Sequence, residues 1–255
     1  MVEQATGCEG QEYLAVLDRD VAELSARVLE RMVARREAGE PLQYVLGRWG
    51  FRSVDLMVDR RVLIPRPETE VVAGEAMAEL DRIDGRAVVD LGTGSGAIAL
   101  AIAVERATAE VWATDASPDA LDVARANLAG VGRPAARVHL HHGRWYEALP
   151  AEVAGRVDLV VSNPPYVARG EELPPSVAEW EPIDALVSGP TGLEAIGAVV
   201  AGAPAWLARP GALVVEMAPH QADAASALAR DAGFTWVDVR PDLAGRLRAL
   251  VARIH

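Results

Sequence analysis

Lysine is absent from this chain of 255 residues: all 25 of its basic residues are arginine. Without it there is no phosphate-loop lysine, no Schiff-base lysine and no lysine general base. P-loop nucleotide hydrolysis and pyridoxal chemistry are thereby excluded. Positive charge of any kind is scarce, with 37 acidic residues against 25 basic ones and a net charge of −12. A broad basic face for holding nucleic acid is not encoded, because such affinity comes mainly from neutralising phosphates. Cysteine occurs once, as Cys8 in a polar stretch, so there is no disulfide framework and no thiolate metal set, as fits a reducing compartment. Long apolar runs are missing too. The longest uncharged ones, Leu91 to Val104 and Ala195 to Ala208, are interrupted by Gly or Pro and fall short of the roughly 20 residues that span a bilayer. Met1 to Gly10 show neither a basic n-region nor an apolar h-region, so the expected location is the cytoplasm.

What is present is an ordinary globular balance, 51% hydrophobic and 24% charged, in a length that corresponds to between one and two domains of about 150 residues. Leu14, Leu17, Val21, Leu24, Val28 and Met32 recur every three or four positions, which predicts a helical segment over residues 11–38. Gly39-Glu40-Pro41 ends it. Trp49 to Val54 and Leu56 to Val62 read as a hairpin, followed by a corner at Pro65 and Pro67 and a helix over Glu68 to Leu80. The boundaries expected from this are a helical domain over 1–42, a hairpin linker over 43–66 and a catalytic domain over 67–255.

From there strands and helices alternate, the pattern of a parallel sheet covered on both faces. Strands are expected at Ala87–Leu91, Val111–Thr114, Val138–His141, Val157–Ser162 and Ala212–Met217. Helices are expected near Ala97–Glu105, Pro118–Leu128, Leu193–Leu207 and His220–Ala232. Trp236–Val239 and Leu247–Ile254 are two more strands, short enough to pair antiparallel.

Two constellations can carry chemistry. Asp90-Leu91-Gly92-Thr93-Gly94-Ser95-Gly96 lies between a buried strand and an apolar helix. Its glycines allow close backbone approach to a ligand, and the helix N-terminus beyond them offers free N–H groups. The G-x-G-x-G spacing is not the dinucleotide fingerprint G-x-G-x-x-G. Asp115, 19 residues past Gly96 at the end of the next strand, adds a carboxylate able to accept from both hydroxyls of a ribose. The second constellation is Ser162-Asn163-Pro164-Pro165-Tyr166, expected at the carboxyl end of a strand beside that of the glycine loop. The Asn163 side-chain oxygen and the Pro164 carbonyl are acceptors, and Tyr166 supplies a flat π face. Together they suit a planar –NH2 group.

In this order on alternating strands, Gly92 to Gly96, Asp115 and Asn163 to Tyr166 resemble the class I S-adenosylmethionine-dependent methyltransferases that act on planar nitrogen. Four flanking motifs narrow the resemblance: Pro41-Leu42-Gln43-Tyr44-Val45-Leu46-Gly47, Leu63 to Glu70, Gly143-Arg144-Trp145-Tyr146 and Trp180-Glu181-Pro182. With them the chain is similar to the HemK/PrmC family of protein glutamine N5-methyltransferases. That resemblance implies an α/β fold of the Rossmann-like type, with a mostly parallel seven-stranded sheet, a small N-terminal helical domain and a linking β-hairpin. It implies S-adenosyl-L-methionine as cofactor and, as substrate and partner, the glutamine of the Gly-Gly-Gln loop of class-1 peptide chain release factors. Gly92, Thr93, Gly94, Ser95 and Gly96 would cradle the methionine part of the cofactor, Asp115 its ribose and Trp145 its adenine. Asn163 would stand between cofactor and substrate, with Asn163, Pro164, Pro165 and Tyr166 holding the glutamine side chain. The Arg66 to Glu70 segment would help close the pocket. Arg144 occupies a place where many relatives carry an acidic residue. The same motifs also suit other readings: methylation of an exocyclic amine of a nucleic-acid base or of a small molecule, and a scaffold that binds cofactor without turnover.

Blander expectations attach to the remaining features. His139, His141 and His142 lack a matching carboxylate or cysteine set, and neighbours on a strand face opposite ways, so no metal site is expected. Ser162 lacks a Gly-x-Ser-x-Gly elbow and reads as a strand end. Glu179, Glu181 and Asp184 read as solvated surface, and Trp49, Trp206 and Trp236 as packing residues.

Overall fold

The computed structural model describes residues 1–15 and 18–255. The N-terminal part contains α1 (Val2–Thr6), α2 (Gln11–Ala15), α3 (Glu23–Glu37) and α4 (Leu42–Leu46). Hence the helical period over 11–38 does not form one rod. Residues 18–22 leave the helix at Asp18 and Asp20, side chains that favour turns and caps. Leu17 lies outside the described residues. Leu14, Val21 and Leu24 are exposed, and of α3 only Met32 is buried. Arg35 joins α3 to the next segment: it donates to both Glu40 carboxylate oxygens at 2.7 and 2.5 Å and to the Tyr44 carbonyl at 2.8 Å.

A hairpin follows, β1 (Arg48–Phe51) antiparallel to β2 (Val54–Met57). The second strand stops short of Val62 because Asp59 closes a turn. Its Oδ1 accepts from Arg61 N at 3.0 Å and its carbonyl from Val62 N at 3.1 Å. Phe51, Val54 and Leu56 insert into the main core. Next comes α5 (Pro67–Arg82), started by Pro67 after an extended Arg66 and carrying Glu68 and Glu70 in its first turn.

The remaining elements alternate as expected: β3 (Ala87–Leu91), α6 (Ala97–Glu105), β4 (Glu110–Asp115), α7 (Pro118–Gly130), β5 (Val138–His142), β6 (Val157–Ser162), β7 (Val167–Ala168), α8 (Pro175–Ala178), β8 (Val187–Gly189), α9 (Glu194–Trp206), β9 (Leu207–Glu216), α10 (Ala222–Asp231), β10 (Trp236–Pro241) and β11 (Leu247–Ile254). Seven strands form one sheet in the order β10-β11-β9-β6-β3-β4-β5. The pairs from β9 through β5 are parallel, while β11 runs antiparallel to both β9 and β10. The unbroken apolar runs of the central strands answer to burial on both faces, and a separate core cluster covers each. The parallel pair β7 and β8 was not anticipated; it is too short to show a period and forms a separate two-stranded sheet. Among the described residues no helix is long and apolar enough to cross a membrane.

From β3 the chain steps through β4 to β5 in one direction and then returns to place β6 on the other side of β3. Crevices in open α/β sheets form at such a reversal, outside the carboxyl ends of the strands. The glycine loop leaves β3 there and Asn163 leaves β6.

Candidate functional site

A cleft of about 700 Å³ opens at this reversal, within the size range of small-molecule sites. Gly92, Thr93, Gly94, Ser95, Asp115, Trp145, Asn163 and Pro165 all line it. Of the other residues singled out from sequence, Gly96 sits behind the loop with φ 85° as N-cap of α6. Pro164 is buried, and Tyr166 packs against the core on that face of the sheet.

Two glycine conformations and one carboxylate shape the glycine loop. Gly92 and Gly94 have φ of 72° and 57°, values that favour glycine. A Cβ on Gly94 would meet nothing within 4 Å and one on Gly92 would come within 3.4 Å of Trp145 Cζ3, so the Trp145 ring stands against a floor bare of side chains. Asp115 Oδ2 accepts from Gly94 N at 2.8 Å and its Oδ1 from Ser117 N at 2.9 Å. This carboxylate fixes the loop, and each oxygen keeps a second lone pair for a ligand. Burial raises its pKa, and the backbone donors pull it back.

Two residues that the sequence reading left without a site role hold the loop from behind. Asp90 is fully buried, its Oδ2 accepting from Thr93 Oγ1 at 2.6 Å and from Ala99 N at 3.1 Å. Burial pushes its carboxyl up to about 7 despite these donors. Asn127 on α7 donates to the carbonyls of Ser95 at 2.8 Å and Met57 at 3.0 Å, and accepts from Met57 N at 2.6 Å. It stitches the hairpin to the glycine loop. Its signal was available: a polar residue on the apolar face of α7 made by Ala120, Leu121, Val123 and Ala124.

On the opposite wall, the Ser162 hydroxyl is buried and donates to the Leu91 carbonyl at 2.7 Å, joining β6 to β3 where both motifs begin. Beyond it, Asn163 Nδ2 donates to Thr69 Oγ1 at 3.2 Å, which donates to Glu216 Oε2 at 2.7 Å. The Tyr166 hydroxyl reaches Glu216 Oε1 at 3.2 Å. Gln221 Nε2 anchors the same loop by donating to the carbonyls of Tyr166 at 2.9 Å and Gly192 at 3.1 Å. Among the described residues nothing donates to Asn163 Oδ1 or to the Pro164 carbonyl, so two acceptors stand unclaimed beside the cleft.

The acidic run is not uniformly solvated. Glu179 and Asp184 are exposed, with Asp184 on the cleft rim, but the Glu181 side chain is only 2% exposed. It accepts from Arg66 and, at 3.1 Å, from the buried Ile64 N, tying the loop after α8 to the segment before α5. Two of the histidines find separate partners: His139 stacks on Trp112 and meets Glu110, while His142 faces the Ala116 carbonyl. Trp49, Trp206 and Trp236 pack against the two cores.

Comparison with known proteins decides the family. Residues 1–47 match the family model "PrmC N-terminal domain" and residues 74–179 match "Methyltransferase small domain". A "Release factor glutamine methyltransferase" of Xylella fastidiosa is 44% identical over 92% of this chain and 84% of its own length. Its namesake in Bordetella pertussis is 44% identical over 91% and 85%. The chain belongs to the release factor glutamine methyltransferases. The namesake in Mycolicibacterium smegmatis, 41% identical, aligns over 96% of this chain and 85% of its own. Solved structures share the fold at lower identity. A methyltransferase from Pyrococcus furiosus has a TM-score of 0.56 at 16% identity, covering 89% of this chain and 96% of its own. A 16S rRNA N2 G1207 methyltransferase of T. thermophilus, in complex with AdoMet and guanosine, has a TM-score of 0.57 at 20%, covering 82% and 50%.

Proposed function

We propose that this chain methylates the N5 nitrogen of the glutamine in the Gly-Gly-Gln loop of class-1 release factors, with S-adenosylmethionine as donor. The observation that carries the reading is the pair of unclaimed acceptors, Asn163 Oδ1 and the Pro164 carbonyl, on a loop whose Asn163 and Pro165 line a cleft with the glycine loop as its other wall. The cleft residues fit the cofactor. Gly92 to Ser95 leave room for its methionine part, Asp115 has lone pairs for two ribose hydroxyls, and the Trp145 ring offers a face for adenine. When bound there, the cofactor supplies an electrophilic methyl group on a sulfonium.

The chemical difficulty lies in the acceptor. An amide nitrogen shares its lone pair with the carbonyl and is a poor nucleophile. Asn163 Oδ1 and the Pro164 carbonyl would each accept one of its N–H groups. That holds the amide plane fixed with a π face toward the cleft, and it stabilises the positive charge that grows on nitrogen. No base is needed beforehand, since the methylated nitrogen becomes strongly acidic and releases its proton to water. Pro165 limits the backbone freedom of the acceptor loop, and Tyr166 braces it through Glu216. The chain that follows β2 borders the cleft through Arg61 and Val62, and together with the helices of residues 1–42 it would form the grip on the protein substrate.

The test is methyl transfer from labelled S-adenosylmethionine to a purified release factor, to its Gln→Ala loop variant and to bulk RNA and DNA. Label on the intact factor alone is expected. Label on nucleic acid at low salt, lost steeply as salt rises, would overturn the reading, as would label on the loop variant.

A further inference from the structure

We propose that Thr69 and Glu216 are positioning residues for the transfer: the ionised Glu216 carboxylate, acting through the Thr69 hydroxyl, keeps the Asn163 amide turned with Oδ1 toward the cleft. This rests on the function proposed above and assigns the two residues a role in it.

The argument is one of hydrogen-bond polarity. Asn163 is useful only if it presents an acceptor, yet an asparagine amide can turn over and present its NH2 instead. Thr69 Oγ1 has one hydrogen. With Glu216 ionised, that hydrogen goes to Oε2 at 2.7 Å, and the hydroxyl has only lone pairs left for its other neighbour. Asn163 must then offer Nδ2, as it does at 3.2 Å, and Oδ1 faces the cleft by elimination. The Tyr166 hydroxyl occupies the second carboxylate oxygen, and among the described residues no arginine is hydrogen-bonded to either oxygen. If Glu216 takes a proton on Oε2, that oxygen becomes a donor to Thr69. The Thr69 hydrogen is then free to point at Asn163, and the amide is better satisfied reversed. Its NH2 would then face the substrate NH2, donor against donor.

The groups around Glu216 set where this exchange occurs. Thr69 and Glu68 approach from α5, Tyr166 from the loop after β6, and Arg248 from β11. Burial, with a smaller contribution from Glu68, pushes the carboxyl up to about 7, against the lowering effects of Thr69, Arg248 and Tyr166. A carboxylate that did no more than fasten α5 to β9 would have no reason to make turnover follow its titration.

The test measures single-turnover methylation from pH 5.5 to 9, with cofactor affinity and Tm alongside, for wild type, Thr69→Val, Thr69→Ser and Glu216→Gln. Wild-type rate is expected to fall on acidification with a midpoint near 7. Thr69→Val should lose between about tenfold and a hundredfold in rate with cofactor affinity unchanged, and Thr69→Ser should recover most of it. Glu216→Gln, which can hold Oε1 toward Thr69 at every pH, should lack the acid limb. A Thr69→Val enzyme as fast as wild type, or an acid limb that persists in Glu216→Gln, would overturn the proposal. A wild-type protein that binds cofactor yet labels no release factor would instead refute the function on which it rests.

Discussion

Replacing Asn163 with alanine removes one of the two acceptors that would hold the glutamine nitrogen, and the structure sets what else changes. The side chain makes one hydrogen bond, to Thr69 at 3.2 Å, and stands at the cleft wall. Its loss to the fold is that single bond, about 1 kcal/mol, or a few degrees in Tm for a chain of this size. Thr69 keeps its bond to Glu216, and no buried charge is stranded. The loss to catalysis is larger, because a preorganised polar contact to a developing charge is worth about 10² to 10³ in turnover. The two effects are separable in one preparation. Rapid-quench measurement with excess enzyme and saturating labelled S-adenosylmethionine gives the transfer step, calorimetric titration gives cofactor affinity, and thermal melting gives the fold. The expected pattern is a transfer rate lowered at least a hundredfold, cofactor affinity within about twofold and Tm lowered by a few degrees. A transfer rate within threefold of wild type would refute the acceptor role of Asn163. The loss should exceed that of Thr69→Val, which leaves Oδ1 in place but unanchored.

Gly92→Ala forces an L residue to φ 72° and brings its Cβ to 3.4 Å from the Trp145 ring. At about 1–2 kcal/mol for that conformation, cofactor affinity should fall roughly tenfold by calorimetry; an unchanged affinity would count against the loop as cradle. Arg66→Ala strands the buried Glu181 carboxylate, whereas Glu181→Ala releases a third-exposed arginine to water and leaves Ile64 N unpaired. Arg66→Ala should therefore lower Tm more, and the reverse order in thermal melts would be inconsistent with that account. Burial raises both Asp90 and Glu216 from ordinary carboxylate values to about 7, so between about pH 4.5 and 7 the folded chain binds more protons than the unfolded one. Their contribution to stability is thus greatest in acid and declines as pH rises to 7. Urea unfolding should show wild type losing stability relative to Glu216→Gln across that window, and a pH-independent difference would refute it.

The sheet was legible because its strands carry an unambiguous signal. Ala87 to Val89, or Leu159 to Val161, are continuous apolar runs, and the strand-to-helix punctuation of Gly92 to Gly96 and Ser117-Pro118 leaves little choice of boundary. The cleft residues were legible for the same reason: the reversal at β3 places whatever follows β3 and β6 side by side. The N-terminal helix was misread because periodicity reports a face without saying what covers it. Leu14 and Leu24 keep the period yet lie exposed, and two aspartates suffice to break the rod. Glu181 was assigned to the surface because charge in a proline-rich loop ordinarily is solvated. Only the fold reveals that residue 181 meets residues 64 and 66 across the chain. Thr69 showed only as part of the segment expected to close the pocket and Asn127 only as a polar residue on an apolar helix face; their roles and that of Glu216 depend on partners 94, 32 and 147 residues away.

The two fully buried carboxylates share a logic that separates stability from function. Asp90 is the penultimate residue of β3, beneath the glycine loop, and Glu216 ends β9 beneath the asparagine loop. Neither has an arginine or lysine bonded to it; their donors are hydroxyls and one backbone N–H. A salt bridge in either place would hold the ionised form at less cost, but a cation would also compete for the lone pairs that fix Thr93 and Thr69. With hydroxyls as the sole intermediaries, each carboxylate imposes a direction on the group beyond it. Thr93 is drawn down into the loop floor, and Thr69 is left with only lone pairs toward Asn163. The fold is weaker near neutral pH for carrying them, and the cleft gains walls whose polarity is set before any substrate arrives.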